Sequence, residues 1–332
     1  MRLISALLGT AALAGVLAAV AAATPHGARD SNVALVAYST PKEAYGKLIS
    51  AFQQTAAGKG VSFDQSYGAS GDQSRSVVGG LPADIVHLAL DPDVTALVKA
   101  GLVPKTWQKA AYKGIVSRSV VVFVVRNGNP KHIKKWGDLI KPGVQVITPN
   151  PFTSGGARWN VMAGYGAMLR EKKTPKQATA YLQQLFKHVP VQDKSAREAL
   201  QTFLAGKGDV LLTYENEAIL AQKKNQPVYY VIPKATIRIE TPVALTVAGA
   251  KKPAAKAFFK FLFSAQAQQI FGENGYRPVL KRALAKFSYP ARPQLFTIGY
   301  VGGWPTVQKK FFDPNNGIMA KIERGIGVST GG

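Results

Sequence analysis

Short apolar runs alternate with amphipathic stretches along most of this 332-residue chain. Residues 33–38 form an apolar run before a helical pattern that ends near residue 57, and residues 83–90 form another before a second helical pattern. Strands that alternate with helices pair in a parallel sheet, because each helix carries the chain back across one face of the sheet. The sequence therefore predicts an α/β fold, doubly wound, with helices on both faces.

Two β-rich passages interrupt this alternation. Residues 118–130 are followed by a new α/β series, and residues 228–247 are too many for one strand. We interpret these passages as two crossovers between two lobes, because a chain of this length is expected to form two domains. The predicted first lobe is discontinuous, residues 29–118 and 237–332, and the second spans residues 119–236, with a ligand cleft between them.

The N-terminus has the pattern of a secretory signal peptide. Arg2 precedes an apolar run from residue 3 to residue 20, and three alanines follow. We expect residues 1–28 to be this signal, with cleavage after Ala23 or Ala28, and the mature protein to reside in the periplasm. An uncleaved anchor is the alternative, because the run approaches the length of a spanning helix. The chain has no cysteine, which excludes a lipoprotein.

The formal net charge of +24 has three explanations. An acidic exterior is the first, because only 18 Asp and Glu residues leave few carboxylates whose protonation would unfold the protein. Steering of an anionic ligand is the second. Nucleic-acid binding ranks last, because Lys and Arg are scattered in runs of no more than two.

Four strand-to-helix turns carry a small or hydroxyl-bearing residue where a helix begins. The free N–H groups of a helix start, together with the helix dipole, attract an anion. In doubly wound sheets such turns gather where ligands bind. Each turn taken alone would be an ordinary helix cap. The hypothesis of an anion-binding site therefore depends on the occurrence of four such turns in one chain. The residues are Thr40, Ser70, Ser154 with Gly155 and Gly156, and Ala196.

From about residue 33 to its end, the chain resembles the sulfate and thiosulfate-binding proteins of bacterial uptake transporters. The resemblance rests on DQSYGASGDQ (64–73), VRNGNPKHIKKWGDLIKPGVQVITPNPFTSGGARWN (125–160), GDVLLTYENEA (208–218), FGENGYRP (271–278) and VGGWP (301–305). It implies two α/β lobes joined by hinge strands, the type II periplasmic binding protein fold, which closes over one dehydrated dianion. It also implies delivery of sulfate to an ABC permease.

The same resemblance implies which residues bind the anion. Backbone N–H groups would come from Thr40, Ser70, Gly155, Gly156 and Ala196, and the hydroxyl of Ser154 would add a donor. Tyr214 stands where sulfate binders of the family place an indole N–H, and Thr40 where they place an Asp. A core role is the alternative for Tyr214.

A site that offers only donors prefers sulfate, because the proton of phosphate would stay unpaired there. A phenol hydroxyl accepts as well as donates, so we expect Tyr214 to weaken this discrimination. Arg158 and Arg197 each follow a proposed anion-binding turn. The resemblance favours a supporting role for both, with a surface salt bridge or direct contact with the anion as alternatives.

The sequence offers little for catalysis, and we expect no enzyme, metal or cofactor. The four histidines are far apart, no nucleotide-binding glycine motif occurs, and the carboxylates of Asp84, Asp91 and Asp93 suit capping better than metal binding. We expect a monomer that binds no nucleic acid. Thiosulfate or another tetrahedral oxyanion such as molybdate is the alternative ligand. A basic secreted protein that binds polyanions and an anion-hydrolysing enzyme are the rival classes.

Overall fold

The computed structural model describes residues 31–290 and 294–330. The predicted signal peptide lies outside these residues. Within the described part of the chain, no helix combines the length and apolar character needed to cross a membrane.

The first lobe begins with three parallel strands joined by helices. In chain order its elements are β1 (Asn32–Tyr38), α1 (Lys42–Gln53), β2 (Ser62–Gly68), α2 (Ser70–Val78), β3 (Ile85–His87) and α3 (Asp91–Lys99). Strand β1 pairs in parallel with both β2 and β3. Two single 3₁₀ turns, Trp107–Lys109 and Ala111–Gly114, lead to the long strand β4 (Ile115–Arg126).

The second lobe repeats the α/β pattern. Its elements are β5 (Val146–Ile147), α4 (Gly155–Arg170), α5 (Pro175–Lys187), α6 (Ala196–Leu204), β6 (Val210–Tyr214), α7 (Glu215–Lys223) and β7 (Val228–Val231). Helix α4 is the most enclosed of these helices. Thirteen of its sixteen residues are buried, because it packs between the sheet and the last helices of the chain.

Strand β8 (Ala235–Leu245) returns the chain to the first lobe. Its middle part, residues 238–242, pairs with β4, and its last residues pair with β3. Strand β4 in turn leaves β8 to pair with β6, so that the strands run β2-β1-β3-β8-β4-β6-β5. Because β4 and β8 each take part in both halves, they are the hinge strands that join the lobes.

The remaining elements divide between the lobes. They are α8 (Pro253–Phe261), α9 (Ala265–Glu273), β9 (Arg277–Pro278), α10 (Lys281–Leu284), β10 (Gln294–Phe296), α11 (Gly303–Phe311) and α12 (Ile318–Gly325). Helices α8 and α9 pack on the first lobe through Phe258 and Phe271. Residues 294–330 instead join the second lobe's core through Trp304, Phe311 and Met319. The expectation that residues 237–332 all belong to the first lobe therefore differs from the packing of this last segment.

No side chain caps the start of α1, which Pro41 precedes. The Glu43 carboxylate instead forms an ion pair with Arg197 of the other lobe, at 2.6 Å. Residues 253–273 form two helices, because α8 ends at Phe261 and α9 starts where Ser264 accepts a hydrogen bond from the Ala267 N–H.

Candidate anion-binding site

A small cavity lies between the lobes, where several strands end and helices begin. Six of the seven predicted ligand residues line it: Ser70, Ser154, Gly155, Gly156, Ala196 and Tyr214. Four further residues complete the wall, namely Tyr38, Ser39, Ala69 and Ala89. The structure thus brings together side chains from both lobes that are up to 176 positions apart in the chain.

Three helices begin at this cavity. Ser70 is the first residue of α2, Gly155 and Gly156 open α4, and Ala196 opens α6. The N–H groups of these four residues donate no hydrogen bond to any other described residue. Buried N–H groups that lack a partner are costly, and the positive ends of three helix dipoles meet here as well. The arrangement fits a bound anion.

Thr40 does not line the cavity, and its neighbour Ser39 does. The Thr40 hydroxyl lies 3.1 Å from the Tyr276 hydroxyl, and its carbonyl accepts a hydrogen bond from Arg197 at 3.0 Å. Thr40 is therefore turned toward the surrounding structure, and Ser39 occupies the position expected for it.

Two phenol hydroxyls in the cavity wall lack partners. The side chains of Tyr38 and Tyr214 are buried, with ring centroids 6.1 Å apart, and neither hydroxyl makes a hydrogen bond of normal geometry with a described residue. Burial raises the pKa of Tyr38 to about 12 and that of Tyr214 well above its usual value. Both hydroxyls therefore stay protonated, and each can donate a hydrogen bond to a ligand.

The two serine hydroxyls at the cavity differ in whether their proton is available for a hydrogen bond to a ligand. The Ser70 hydroxyl donates to the Asp93 carboxylate at 2.5 Å and accepts from the Ala89 N–H at 2.9 Å, so its donor is used. The Ser154 hydroxyl accepts a long hydrogen bond from the Ala157 N–H at 3.4 Å, which leaves its own proton available. Ser154 can thus add a side-chain donor, and Ser70 offers its backbone N–H.

Neither Arg158 nor Arg197 lines the cavity. Arg158 donates to the Pro151 carbonyl and to Gln308. Its charge also counteracts the burial that raises the pKa of Asp93. The guanidinium of Arg197 donates twice to the buried Glu217 carboxylate and once to Glu43. Arg158 thus donates to neutral groups and Arg197 pairs with carboxylates, and neither guanidinium is among the described residues that line the cavity.

Contacts between the lobes enclose the cavity. The Gly71 N–H of α2 donates to the Thr153 carbonyl at 3.0 Å, and the Trp159 indole of α4 donates to the Ala89 carbonyl at 2.9 Å. A wider opening shares Ser39 with the cavity and is lined also by Lys42, Glu43 and Arg197.

Sequence reasoning missed four wall residues, of which Tyr38 and Ser39 carry polar groups. Both lie where β1 ends, so the rule that ligands bind at the carboxyl ends of parallel strands could have identified them. Ala89 follows β3 in the same way. Among the residues that the structure describes, no group of three His, Cys, Asp or Glu side chains could hold a metal ion.

Comparison with known proteins identifies the family of the chain. The family model described as bacterial extracellular solute-binding protein matches residues 33–277. The chain belongs to this family of solute-binding proteins. As a bacterial extracellular solute-binding protein it is a binding component of transport and not an enzyme.

Several members of this solute-binding family are close to the chain. It is 41% identical to the sulfate-binding protein of Synechococcus elongatus over 89% of its length and 87% of that protein. It is 36% identical to the thiosulfate-binding protein of Pseudomonas aeruginosa over 83% of its own length and 88% of that protein. Among solved structures, it matches the sulfate-binding protein SubI from Mycobacterium tuberculosis with a TM-score of 0.82 and 43% identity, covering 85% of this chain and all of that one.

Proposed function

We propose that this solute-binding protein captures sulfate in the cavity between its lobes and delivers it to an ABC permease for uptake. The observation that carries the proposal is the meeting of three helix N-termini, with four unpartnered N–H groups, at one enclosed cavity. The relatives named sulfate-binding proteins support the choice of anion.

The donors on this wall come from both lobes, which explains how binding and closure are coupled. The first lobe offers the Ser70 N–H, and the second offers those of Gly155, Gly156 and Ala196. A single anion that accepts from both groups favours the closed arrangement over the open one, because only closure brings all donors to it. Tyr214 and Ser154 add hydroxyl donors.

The proposal also covers the lobe boundaries, the location and oligomeric state of the protein, and the roles of two arginines. We assign lobe boundaries near residues 118 and 237, with residues 294–330 moved to the second lobe. The mature protein would act in the periplasm as a monomer, after removal of residues 1–28, and bind no nucleic acid. Arg158 and Arg197 would hold the neighbouring loops without contacting sulfate.

Thiosulfate is the second candidate ligand, because a thiosulfate-binding relative shares 36% identity over 83% of this chain. Thiosulfate is also a tetrahedral dianion without a proton at neutral pH, so helix N–H groups serve both. The larger sulfur atom needs more room, and the small cavity favours sulfate.

Calorimetry on the mature protein tests the proposal. After dialysis that strips bound anion, the protein is titrated with sulfate, thiosulfate and molybdate at constant ionic strength, and again in high sodium chloride. One saturable site for sulfate that persists in high salt supports the proposal. Preference for thiosulfate moves the function to the second candidate. Binding that collapses with salt and extends to any polyanion refutes both, since such binding follows counterion release.

A further inference from the structure

Two segments of the first lobe carry lysines and no carboxylate. Residues 94–114 contain four lysines, residues 241–272 contain four more, and neither segment contains Asp or Glu. The eight lysines are Lys99, Lys105, Lys109, Lys113, Lys251, Lys252, Lys256 and Lys260. Only Lys252 among them forms an ion pair with a described residue, the buried Asp84 at 2.7 Å. The other seven are exposed, so their positive charges face the solvent.

Tertiary contacts join the two segments into one surface. The Val247 N–H donates to the Leu102 carbonyl at 2.9 Å. The Tyr112 ring stacks on the Phe263 ring, with centroids 6.2 Å apart and planes inclined by 18°. Tyr112 and Val247 are 40% and 42% exposed, so apolar groups lie among the lysines. The seven exposed lysines, together with Tyr112 and Val247, form what we call the basic face.

The backbone holds Tyr112 at the basic face in an unfavourable conformation. Tyr112 and Lys113 have φ angles of 53° and 59°, and Gly114 follows with a φ of 74°. The left-handed region is disfavoured for residues with a side chain, and most of all for bulky ones. Burial of the ring does not offset this strain, because the ring stays exposed. Strained residues of this kind cluster at functional sites, so the turn points to a contact outside the chain.

The basic face lies apart from the anion cavity. Val247 follows strand β8, whose residue Leu245 pairs with Ile85 at the start of β3. The cavity lies at the other end of β3, beside Ala89. No residue of the basic face lines the cavity or the wider opening next to it. A partner on the basic face would therefore leave the anion site accessible.

We propose that the basic face docks the protein on an anionic lipid surface, with the lysines at the headgroups and the Tyr112 ring in the membrane interface. Charge complementarity favours this partner, because lysines are attracted to anionic headgroups and tyrosine is enriched at membrane–water interfaces. The net charge of +24 acts in the same direction at longer range. The proposal does not depend on sulfate capture.

Sedimentation of the mature protein with lipid vesicles tests the proposal. Vesicles of equal parts phosphatidylglycerol and phosphatidylcholine should bind the protein at low ionic strength, and vesicles of phosphatidylcholine alone should not. The triple variant Lys109→Gln, Lys113→Gln and Lys260→Gln should lower the partition coefficient roughly 100-fold, because each lysine near an anionic membrane contributes about fivefold. Tyr112→Asn removes the ring but suits the left-handed backbone, and it should lower the partition coefficient several-fold.

A matched triple variant in the second lobe controls for net charge. Lys135→Gln, Lys172→Gln and Lys234→Gln remove the same charge from exposed residues that share a pocket with Ala235, the first residue of β8. Each triple contains one lysine at positive φ, Lys113 or Lys172, so the backbone is matched as well. The control should lower the partition coefficient by less than about fivefold, because its lysines lie at the other end of β8 from the basic face.

Equal losses in the two triple variants overturn the proposal, because binding would then follow net charge alone. Absence of wild-type binding to the phosphatidylglycerol vesicles also overturns it, in favour of a protein partner for the basic face. Both triple variants should keep the wild-type Kd for sulfate and the wild-type unfolding temperature, because all six lysines are exposed and lie outside the cavity wall. Failure of the wild type to bind sulfate would refute the proposed function and leave vesicle binding unaffected.

Discussion

Replacing Gly156 with alanine places a methyl group inside the anion cavity. The new Cβ would lie 2.9 Å from Tyr214 Cε2, 3.2 Å from Ala196 Cβ and 3.4 Å from Ser154 Oγ. Carbon atoms prefer separations of roughly 3.5 to 4.0 Å, so the tyrosine ring has to move away. Overpacking of this kind costs about 1 to 3 kcal/mol. Because this methyl group would lie in the wall of the proposed anion site, we expect it to weaken binding.

At about 1.4 kcal/mol per tenfold change, this cost raises the Kd for sulfate by roughly 5- to 150-fold. The ligand-free protein should lose no more than about 2 kcal/mol of stability, because alanine is the better helix former by about 1 kcal/mol and offsets part of the strain. Calorimetry gives the Kd, and urea unfolding gives the stability. Gly46→Ala is the matched control: this glycine is exposed in α1, and its Cβ would meet no atom within 4 Å.

An unchanged Kd in Gly156→Ala would refute the placement of the anion at the start of α4. Equal losses of affinity in Gly156→Ala and in the Gly46→Ala control would refute it as well, because the control methyl touches nothing. A large loss of ligand-free stability would instead show that the cavity is part of the rigid core.

Three further predictions follow from contacts around the site. Gly155→Ala would place its Cβ 2.7 Å from Ala89 Cβ of the other lobe, so small-angle X-ray scattering with saturating sulfate should show a less closed protein than wild type. Trp159→Phe removes the 2.9 Å hydrogen bond to the Ala89 carbonyl, and stopped-flow release of sulfate should be faster by roughly three- to tenfold, with unchanged release counting against a closing role. Burial raises the pKa of Glu323 to about 7, so the wild-type protein loses stability as pH rises from about 4.5 to 7 and the buried carboxyl ionises. Urea unfolding should show Glu323→Gln to be more stable than wild type by up to about 3 kcal/mol near pH 8 and equally stable near pH 4.5.

Much of the site was predictable because helix starts are local in sequence. Ser70, Gly155 and Ala196 each stand at a turn of small or polar residues before a helical pattern, and the structure begins a helix at each. The choice between Ser39 and Thr40 was not predictable in this way. Adjacent residues in an extended turn point in different directions, and the tertiary contacts of Thr40 with Tyr276 and Arg197 decide which one faces the cavity.

Long-range packing set the other limits of sequence reasoning. Residues 294–330 have amphipathic helices that would suit either lobe, and tertiary contacts such as that of Trp304 with Trp159, with ring centroids 4.7 Å apart, pack them on the second. The ion pair of Glu43 could not be predicted from the sequence for the same reason. A glutamate three residues after a threonine suggests a cap, and Arg197 lies 154 positions away.

The placement of the last segment constrains the order in which the two cores can be completed. The core of the first lobe includes residues of helices α8 and α9, and that of the second includes residues from the segment 294–330. A chain that emerges with its N-terminus first would therefore complete neither core before helix α9 ends at Glu273. Both cores thus depend on the last quarter of the chain, so that a truncation there would leave each lobe with an exposed apolar face.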